Sequence, residues 1–394
     1  MTQASRHSLR LLATATLAVA VLAGCSTVKN MFGGKGGKDE ASQPAALVQI
    51  VPTANVGRLW STSLGDGEER LGIGQQPAIV DGRVYAAAVD GGVRAFDLHS
   101  GAVAWTYPSK ARLSGGPGAG DGLVVVGGLE GEVIALDAAT GAERWTAKVG
   151  NEVLAAPAIG GGLVFVHSND GRLTAFDAAS GERRWFYSPD MPALTVRGSG
   201  GITLGPGIVI VGGDNGKVTA LNAADGSPLW SIPVAEPEGR SELERMADVD
   251  GAPVLDNTVL FASSHKNRTV AIDGPSGQLM WSADHGGARG LGLSNSAVVV
   301  SDRQGNVVGL DRNTGGALWT QPGLLNRNTS APAVQGDYAV VGDLDGVVHW
   351  LRLNDGAFAA RQNLGGAIAG QPVAADGIVV VQTAKGQLAA FALQ

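Results

Sequence analysis

Few acidic, histidine or cysteine residues of this 394-residue chain have the spacing of a metal site or a catalytic site. Asp248 and Asp250 alternate on a segment that we expect to be extended, and together they could bind a cation. Two carboxylates are too few for calcium, which takes about six or more oxygen ligands. The other acidic residues occupy turn positions, and we expect no separate acidic cluster.

The remaining metal-binding residue types are sparse. The histidines beyond the first ten residues lack the paired spacing of metal ligands; they are His99, His167, His265, His285 and His349. The only cysteine is Cys25. We therefore predict no metal site, no cofactor and no catalytic residue.

The elements that position these side chains belong to an internal sequence repeat. In most units an Asp is followed four residues later by a Gly and eight residues later by a Trp, as in Asp137, Gly141 and Trp145. The repeat tryptophans are Trp60, Trp105, Trp145, Trp185, Trp230, Trp281 and Trp319. The opening strands contain Pro77, Pro117, Pro157, Gly201, Pro253, Gly292, Pro332 and Pro372, which are about 40 residues apart. Eight such units predict an all-β, eight-bladed β-propeller of four-stranded antiparallel blades over residues 47–394.

The two ends of the repeat complete each other. The eighth unit has three predicted strands, and Trp60 precedes the first unit without strands of its own. We predict that residues 58–63 are the outer strand of the last blade, because this closes the ring and removes open sheet edges. The seventh unit lacks the repeat tryptophan: Gly356 is followed four residues later by Ala360, and Trp350 lies on the third strand.

The regular residues of the repeat have structural roles. Because the repeat tryptophans are evenly spaced, we expect them to pack between neighbouring blades and not to form a ligand stack. The Asp of each Asp-x-x-x-Gly turn is expected to accept backbone N–H bonds. Asp-Gly and Asn-Gly pairs suit two-residue hairpins with positive φ; these pairs begin at Asp90, Asp170, Asn215 and Asp345.

Residues 1–24 have the pattern of a secretion signal. A basic start precedes an apolar run over 11–22, which is too short to span a bilayer. The sequence LAGC at 22–25 resembles the lipobox of bacterial lipoproteins, which implies acylation of Cys25. The serine that follows implies sorting to the outer membrane. Residues 25–46 are rich in Gly, Lys and Ser, and we predict that they form a flexible tether.

The charge of the chain excludes one class of partner. Of 29 basic and 36 acidic residues, two arginines lie in the signal, so the mature net charge is 27 − 36 = −9. An acidic surface argues against nucleic-acid backbones as partners.

Two connections between units are longer than the others. The gap from the repeat Trp to the next opening strand is 201 − 185 = 16 residues before the fourth unit and 253 − 230 = 23 residues after it. We call residues 186–200 the first insertion and residues 231–252 the second insertion. Both leave the same face of the predicted propeller and flank blade 4, so we predict one contiguous ridge that binds a partner.

The contents of the insertions support a binding role. Leu194, Val196 and Arg197 lie in the first insertion, and apolar side chains beside an arginine are typical of interface hot spots. In the second insertion, Ser241 has capping-box spacing with a glutamate three residues later, which predicts a short helix over about 242–247.

The repeat pattern resembles the tryptophan-docking motif of PQQ-type propellers over about 77–319. Quinoprotein dehydrogenases share these repeats and resemble one another in a vicinal disulfide and a calcium site with a catalytic Asp. Because Cys25 is the only cysteine, this chain cannot form that disulfide, and we expect no enzyme activity. A PQQ-dependent dehydrogenase-like propeller and a cell-wall-binding propeller are the alternatives.

The insertions carry a closer resemblance. The sequence LTVRG at 194–198 and the sequence RSELERMADVD at 240–250 resemble the corresponding loops of the BamB family, the propeller lipoproteins of the outer-membrane β-barrel assembly (BAM) complex. That family is non-enzymatic and binds the periplasmic POTRA domains of BamA. The resemblance implies a lipid-anchored scaffold on the periplasmic face of the outer membrane that assists folding and insertion of outer-membrane proteins, with direct contact to nascent chains left open. By motif, the BamA contacts fall on Leu194, Val196, Arg197, Asp248 and Asp250. The family often has Leu at the position of Val196, and Val keeps an apolar contact there.

Overall fold

The computed structural model describes residues 43–65, 67, 69–195, 198 and 200–394. The predicted signal, Cys25, most of the tether, Val196 and Arg197 lie outside the described residues. From Ala45 onward the chain forms one compact unit.

The strands of this unit form eight four-stranded antiparallel sheets, as predicted. Blades 1 and 2 are β2 Ala78–Val80, β3 Arg83–Ala88, β4 Gly92–Asp97, β5 Val103–Tyr107, and β6 Gly118–Gly120, β7 Leu123–Gly127, β8 Glu132–Asp137, β9 Glu143–Lys148. Blades 3 and 4 are β10 Ala158–Gly160, β11 Leu163–His167, β12 Leu173–Asp177, β13 Arg183–Tyr187, and β14 Ile202–Gly205, β15 Ile208–Gly212, β16 Lys217–Asn222, β17 Pro228–Pro233.

The second half of the ring has the same order. Blades 5 and 6 are β18 Val254–Asp256, β19 Val259–Ser264, β20 Arg268–Asp273, β21 Gln278–Ala283, and β22 Leu291–Leu293, β23 Ala297–Ser301, β24 Val307–Asp311, β25 Ala317–Gln321. Blades 7 and 8 are β26 Ala333–Gln335, β27 Tyr338–Gly342, β28 Val347–Arg352, β29 Phe358–Asn363, and β30 Val373–Ala375, β31 Ile378–Gln382, β32 Gln387–Leu393, β1 Val56–Ser63. A 3-10 turn spans Glu69–Leu71, and one short helix, α1, spans Glu242–Arg245.

The ring is built from the inside outward. The first strand of a blade contacts the first strands of its neighbours, as β2 does with β6 and β30, so the first strands surround a central channel. The second strands are apolar runs buried on both faces, of which β7 is an example. The fourth strands alternate: in β9, Trp145 is buried and its neighbours are exposed. This alternation places charge outside and the tryptophan at the blade junction.

The N-terminal strand closes the ring, as predicted. β1 pairs antiparallel with β32, with Val56 opposite Leu393 and Ser63 opposite Gln387. The strand begins two residues earlier than the predicted start at residue 58. Blade 8 therefore combines three late strands with one early strand, and no turn joins its third strand to its fourth.

Each repeat tryptophan crosses a blade junction, also as predicted. Trp105 shows the pattern: its Nε1 donates to the carbonyl of Ala138 at 3.0 Å, in the turn between the third and fourth strands of the next blade. A Cβ added to Gly141 of that turn would lie 2.5 Å from the indole, so the ring lies directly on glycine. The other tryptophans donate to Leu98, Ala178, Ala223, Gly274, Arg312 and Leu353.

The junction from blade 7 to blade 8 is built differently. Blade 8 has no turn between its third and fourth strands, so it offers no carbonyl of the kind that the repeat tryptophans use. Instead Trp350, fully buried on β28, donates to Oε1 of Gln335 at 2.8 Å. Nε2 of Gln335 donates across the junction to the carbonyls of Gly377 at 2.7 Å and Phe391 at 3.1 Å. A tryptophan from the third strand thus replaces the missing one at Ala360.

The turns of the repeat have two forms. In the Asp-x-x-x-Gly turns, Oδ1 of Asp137 accepts from the backbone N–H of Thr140 at 2.8 Å, as expected. The two-residue hairpin prediction at Asp90, Asp170, Asn215 and Asp345 is wrong. The turn from Gly213 to Gly216 has four residues, and only Gly216 has positive φ. Two-residue turns instead join the first and second strands in seven of the eight blades, as at Asp81-Gly82, where both residues have positive φ; blade 6 has three residues there.

Candidate functional site

The two insertions contact each other, as predicted. The backbone N–H of Gly201 donates to the carbonyl of Asp250 at 3.0 Å. A Cβ added to Gly198 would lie 3.0 Å from Cγ of Asp250, so the first insertion passes closely over the second at this point. The ring Nδ1 of His167 lies 2.7 Å from the carbonyl of Gly200 and fixes the end of the first insertion. The two segments therefore form one surface beside blade 4.

Several apolar side chains on this surface are open to solvent. Leu194, a predicted partner contact, is 43% exposed. Met191 is 39% exposed, and Leu243 on α1 is 67% exposed. Sequence reasoning did not select Met191 or Leu243. Leu243 could have been found from the sequence, because the predicted capping box located the short helix and Leu243 is the only leucine in it.

The helix α1 is held by its ends. Oγ of Ser241 accepts from the backbone N–H of Glu244, and the Glu244 carboxylate accepts from the backbone N–H of Ser241, which completes the predicted capping box. Arg245 pairs with Glu242 at 3.0 Å. No residue of α1 is buried. Hydrogen bonds, and not packing, therefore hold Leu243 outward, and the helix ends two residues before the predicted end.

Asp248 and Asp250 are placed differently from the exposed residues. Asp248 has no exposed surface, and Asp250 is partly buried. Val249 between them is fully buried in the core shared by blades 4 and 5. Because alternate residues of an extended segment point to opposite sides, both aspartates turn away from that core together. They lie beneath the ridge and not on its outer surface.

A third carboxylate joins them, so the expectation of no separate acidic cluster is wrong. Carboxylate oxygens of Asp214, Asp248 and Asp250 all lie within 4.8 Å of one another. Asp214 belongs to the turn between β15 and β16, and the backbone N–H of Val249 donates to Gly213 of that turn at 3.2 Å. The turn position hid Asp214 from sequence reasoning, because its spacing matches the ordinary hairpin turns of other blades.

The cluster has unusual electrostatics. Burial, and then the neighbouring Asp248, raise the pKa of Asp214 to about 7. Burial, followed by Asp248 and Asp214, also raises the pKa of Asp250 well above its usual value. Oδ1 of Asp250 is buried and has no hydrogen bond among the described residues. Near neutral pH the cluster can hold protons or contribute up to three carboxylates to a hard cation.

A second network of buried polar side chains, centred on His349, lies in blade 7. Nε2 of His349 lies 3.0 Å from Oδ2 of Asp343, and Nε of Arg361 donates to Nδ1 of His349 at 3.1 Å. Burial lowers the pKa of His349, and the arginine bond requires the neutral Nε2–H tautomer. Arg361 also donates to the carbonyl of Val48 at 2.5 Å, so this network fixes the segment before β1. Its role is structural, in line with the interpretation of the scattered histidines as packing residues.

Within the part of the chain that the structure describes, no helix is long and apolar enough to cross a membrane.

The sequence and the fold match known proteins. The sequence profile described as Outer membrane protein assembly factor BamB matches residues 53–112, 89–321 and 303–394. A protein of that name from Xanthomonas campestris pv. campestris is 54% identical over 384 residues, covering 94% of this chain and 95% of the relative. The crystal structure of BamB from Moraxella catarrhalis superposes with a TM-score of 0.78 at 30% identity, covering 86% of this chain and 100% of that chain.

Propeller enzymes share the fold at much lower identity. The quinohemoprotein alcohol dehydrogenase from Comamonas testosteroni superposes with a TM-score of 0.69 at 16% identity, covering 88% of this chain and 78% of that chain. At that identity the likeness concerns the fold alone. The profile match and the 54% identity together show that this chain belongs to the BamB family of outer membrane protein assembly factors.

Proposed function

We propose that this chain is a non-enzymatic scaffold of the outer-membrane β-barrel assembly complex that docks its two insertions on the POTRA domains of BamA. The observation that carries the proposal is the 54% identity over nearly the whole chain to a protein named as an assembly factor. The contact between the insertions supports it, because residues separated by a whole blade meet on one surface. The predicted lipid anchor on Cys25 would hold this surface at the periplasmic face of the outer membrane.

The predicted contact residues divide into two roles. Leu194 is exposed and suited to touch the partner, and we assign the same role to Val196 and Arg197 from the sequence resemblance. Asp248 and Asp250 are positioning residues, because their carboxylates lie beneath the surface. Replacing them would alter binding by changing the path of both insertions.

The absence of catalysis is part of the proposal. The relatives with high identity carry the name of an assembly factor, whereas the dehydrogenases share only the fold. A chain with one cysteine cannot form the vicinal disulfide of quinoprotein dehydrogenases. Addition of PQQ and calcium should give neither a red-shifted absorbance nor dye reduction.

Affinity purification of the lipidated protein tests the docking assignment. The Leu194→Ala/Arg197→Ala variant should lose co-purification of BamA, while its melting temperature stays within about 2 °C of the parent, since Leu194 is exposed and neither residue belongs to the repeat. A matched control is Leu318→Ala/Arg184→Ala, in which an exposed leucine and an exposed arginine are removed from outer strands of other blades. Full BamA recovery with the insertion variant would overturn the assignment.

A further inference from the structure

The face that carries the insertions also holds the mouth of the central channel. A cavity of about 550 Å³ opens there, lined by the connections that precede the first strands of all eight blades. Cavities of about 300–1,000 Å³ are typical of small-molecule sites. The end of the second insertion contributes Asp250, and the first insertion contributes Gly198.

Backbone forms much of the cavity wall. A Cβ added to Gly116 would lie 2.3 Å from the carbonyl of Gln76, and one added to Gly370 would lie 2.1 Å from the carbonyl of Gln75. Neighbouring connections thus approach so closely that only glycine fits. Side chains larger than hydrogen are excluded from these positions, which keeps the mouth open to a ligand.

A glutamine side chain crosses beneath the mouth. Nε2 of Gln371, in blade 8, donates to the carbonyl of Pro332 at 2.7 Å and to that of Leu291 at 3.2 Å. These acceptors belong to blades 7 and 6, so one side chain links three blades. The mouth therefore has a polar floor on this side.

Arg289 projects a guanidinium into the same mouth. Its Nη2 donates to Oδ1 of Asn328 at 2.7 Å, and its Nη1 reaches the carbonyl of Ala369 at 3.5 Å. Arginine has five N–H donors, so at least three donors of Arg289 remain after these two contacts. Both partners are neutral, and no carboxylate among the described residues forms an ion pair with Arg289.

The surroundings of Arg289 leave its charge unbalanced. The protein packed around it lowers the pKa of Arg289 through desolvation alone. The side chain nevertheless remains open to water, because the mouth is a funnel and not a closed cavity. A cation in a concave, low-dielectric wall that solvent can reach attracts anions more strongly than one on a flat surface.

The acidic side of the mouth opposes an anion less than its residue types suggest. Asp250 lines the cavity, but the pKa of Asp250 is raised by burial and by Asp248 and Asp214. The other acidic lining residue, Asp302, has both oxygens occupied by its own turn, through the N–H groups of Gln304 and Asn306 and the side chain of Asn306.

We propose that the mouth of the central channel binds a small organic carboxylate, whose carboxylate group pairs with the remaining donors of Arg289. The planar fork of arginine matches a carboxylate with two parallel hydrogen bonds. The exposed backbone of the connections supplies further polar contacts. The site borders the insertions through Gly198 and Asp250, but its ligand-binding residue, Arg289, lies in neither insertion, and the proposal goes beyond the scaffold function.

Isothermal titration of the purified lipidated protein with tricarballylate at low ionic strength tests the site. The protein should bind with a dissociation constant of about 1 mM or tighter. Arg289→Gln should weaken binding about tenfold or more, and Arg289→Lys by about threefold or more, because lysine keeps the charge and loses the fork. Arg303→Gln, which removes an exposed cation lining the same mouth, should change the constant by less than about twofold.

Four results would overturn the proposal. These are no heat of binding for the parent protein at about 10 mM ligand, equal binding by Arg289→Gln, an equal loss in Arg303→Gln, and equally tight binding of inorganic phosphate. The last would indicate an adventitious ion only. Melting curves establish that each variant is folded. BamA recovery with Arg289→Gln should match the parent, which separates this site from the docking assignment.

Discussion

The seven tryptophan junctions and the two insertions beside blade 4 use opposite strategies. At the junctions, one indole lies on one glycine and donates to one carbonyl, and the arrangement recurs around the ring. At the insertions, a leucine faces solvent, a short helix buries nothing, and three carboxylates gather underneath. The regular residues hold the ring closed, and the irregular residues are free to meet a partner.

The largest expected effect comes from removing a regular junction. Trp145 is 8% exposed, donates to Ala178 at 2.9 Å and lies on Gly181. Trp145→Ala should lower the free energy of unfolding by about 3–5 kcal/mol, because a large buried ring and its hydrogen bond are lost. Chemical denaturation followed by fluorescence measures the change.

The exposed neighbour of Trp145 provides the control. Arg144 is 59% exposed and pairs with Asp137 at the surface. Arg144→Ala should change the free energy of unfolding by less than about 1 kcal/mol. An equal loss in the two variants would show that the junction is no more important than the outer surface.

An intermediate effect on stability is expected from placing a tryptophan at the repeat position of blade 7. In the other seven blades the residue opposite the repeat tryptophan is small; these residues are Ala95, Ala135, Ala175, Ala220, Ala271, Gly309 and Ala390. Ala360 instead faces Trp350. Ala360→Trp should destabilise the protein by about 1–3 kcal/mol through overpacking, and its indole would find no turn carbonyl in blade 8. A melting temperature equal to or above that of the parent would show that blade 7 follows the common pattern.

The smallest effect concerns the acidic cluster and depends on pH. Asp214 keeps its proton up to about pH 7 in the folded protein and only to about pH 3.8 when unfolded. Because the folded state binds more protons between these values, the stability from this group is full below about pH 4 and is lost as the pH rises to about 7. Asp214→Asn should flatten the fall in unfolding free energy between pH 5.5 and pH 7 by about 1–2 kcal/mol.

Denaturation at a series of pH values measures this slope. Asp284→Asn, at an exposed position of another blade connection, should leave the profile unchanged. A wild-type profile that rises from pH 5.5 to pH 7, and a variant profile with the same shape, would show that Asp214 is ionised in the folded protein.

The sequence predicted the blades and the tryptophan junctions well. Spacing alone located all eight blades and the closing strand, because each Gly–Trp pair reports one junction and Trp60 could belong only to the last blade. The sequence showed that the seventh unit has Ala360 in place of the repeat tryptophan and Trp350 on its third strand. It did not show the reason, which is that blade 8 lacks the turn that would accept the tryptophan hydrogen bond.

The insertions and the acidic cluster beneath them were only partly predictable. Contact between the insertions followed from their position on either side of blade 4. The burial of Asp248 and the presence of Asp214 beside it did not, because they depend on how a turn packs against a segment more than thirty residues away, with 248 − 214 = 34. The contact of Arg361 with Val48 was hidden for the same reason, since the two residues are 361 − 48 = 313 positions apart.

Paired measurement of stability and BamA affinity in two variants tests the division between ring and insertions most directly. Trp145→Ala should lose about 3–5 kcal/mol of unfolding free energy and keep BamA affinity at a temperature where it remains folded, whereas Leu194→Ala/Arg197→Ala should keep its stability and lose BamA. If the insertion variant lost as much stability as the tryptophan variant, or if the folded tryptophan variant failed to bind BamA, ring closure and partner docking would not be carried by separate residues.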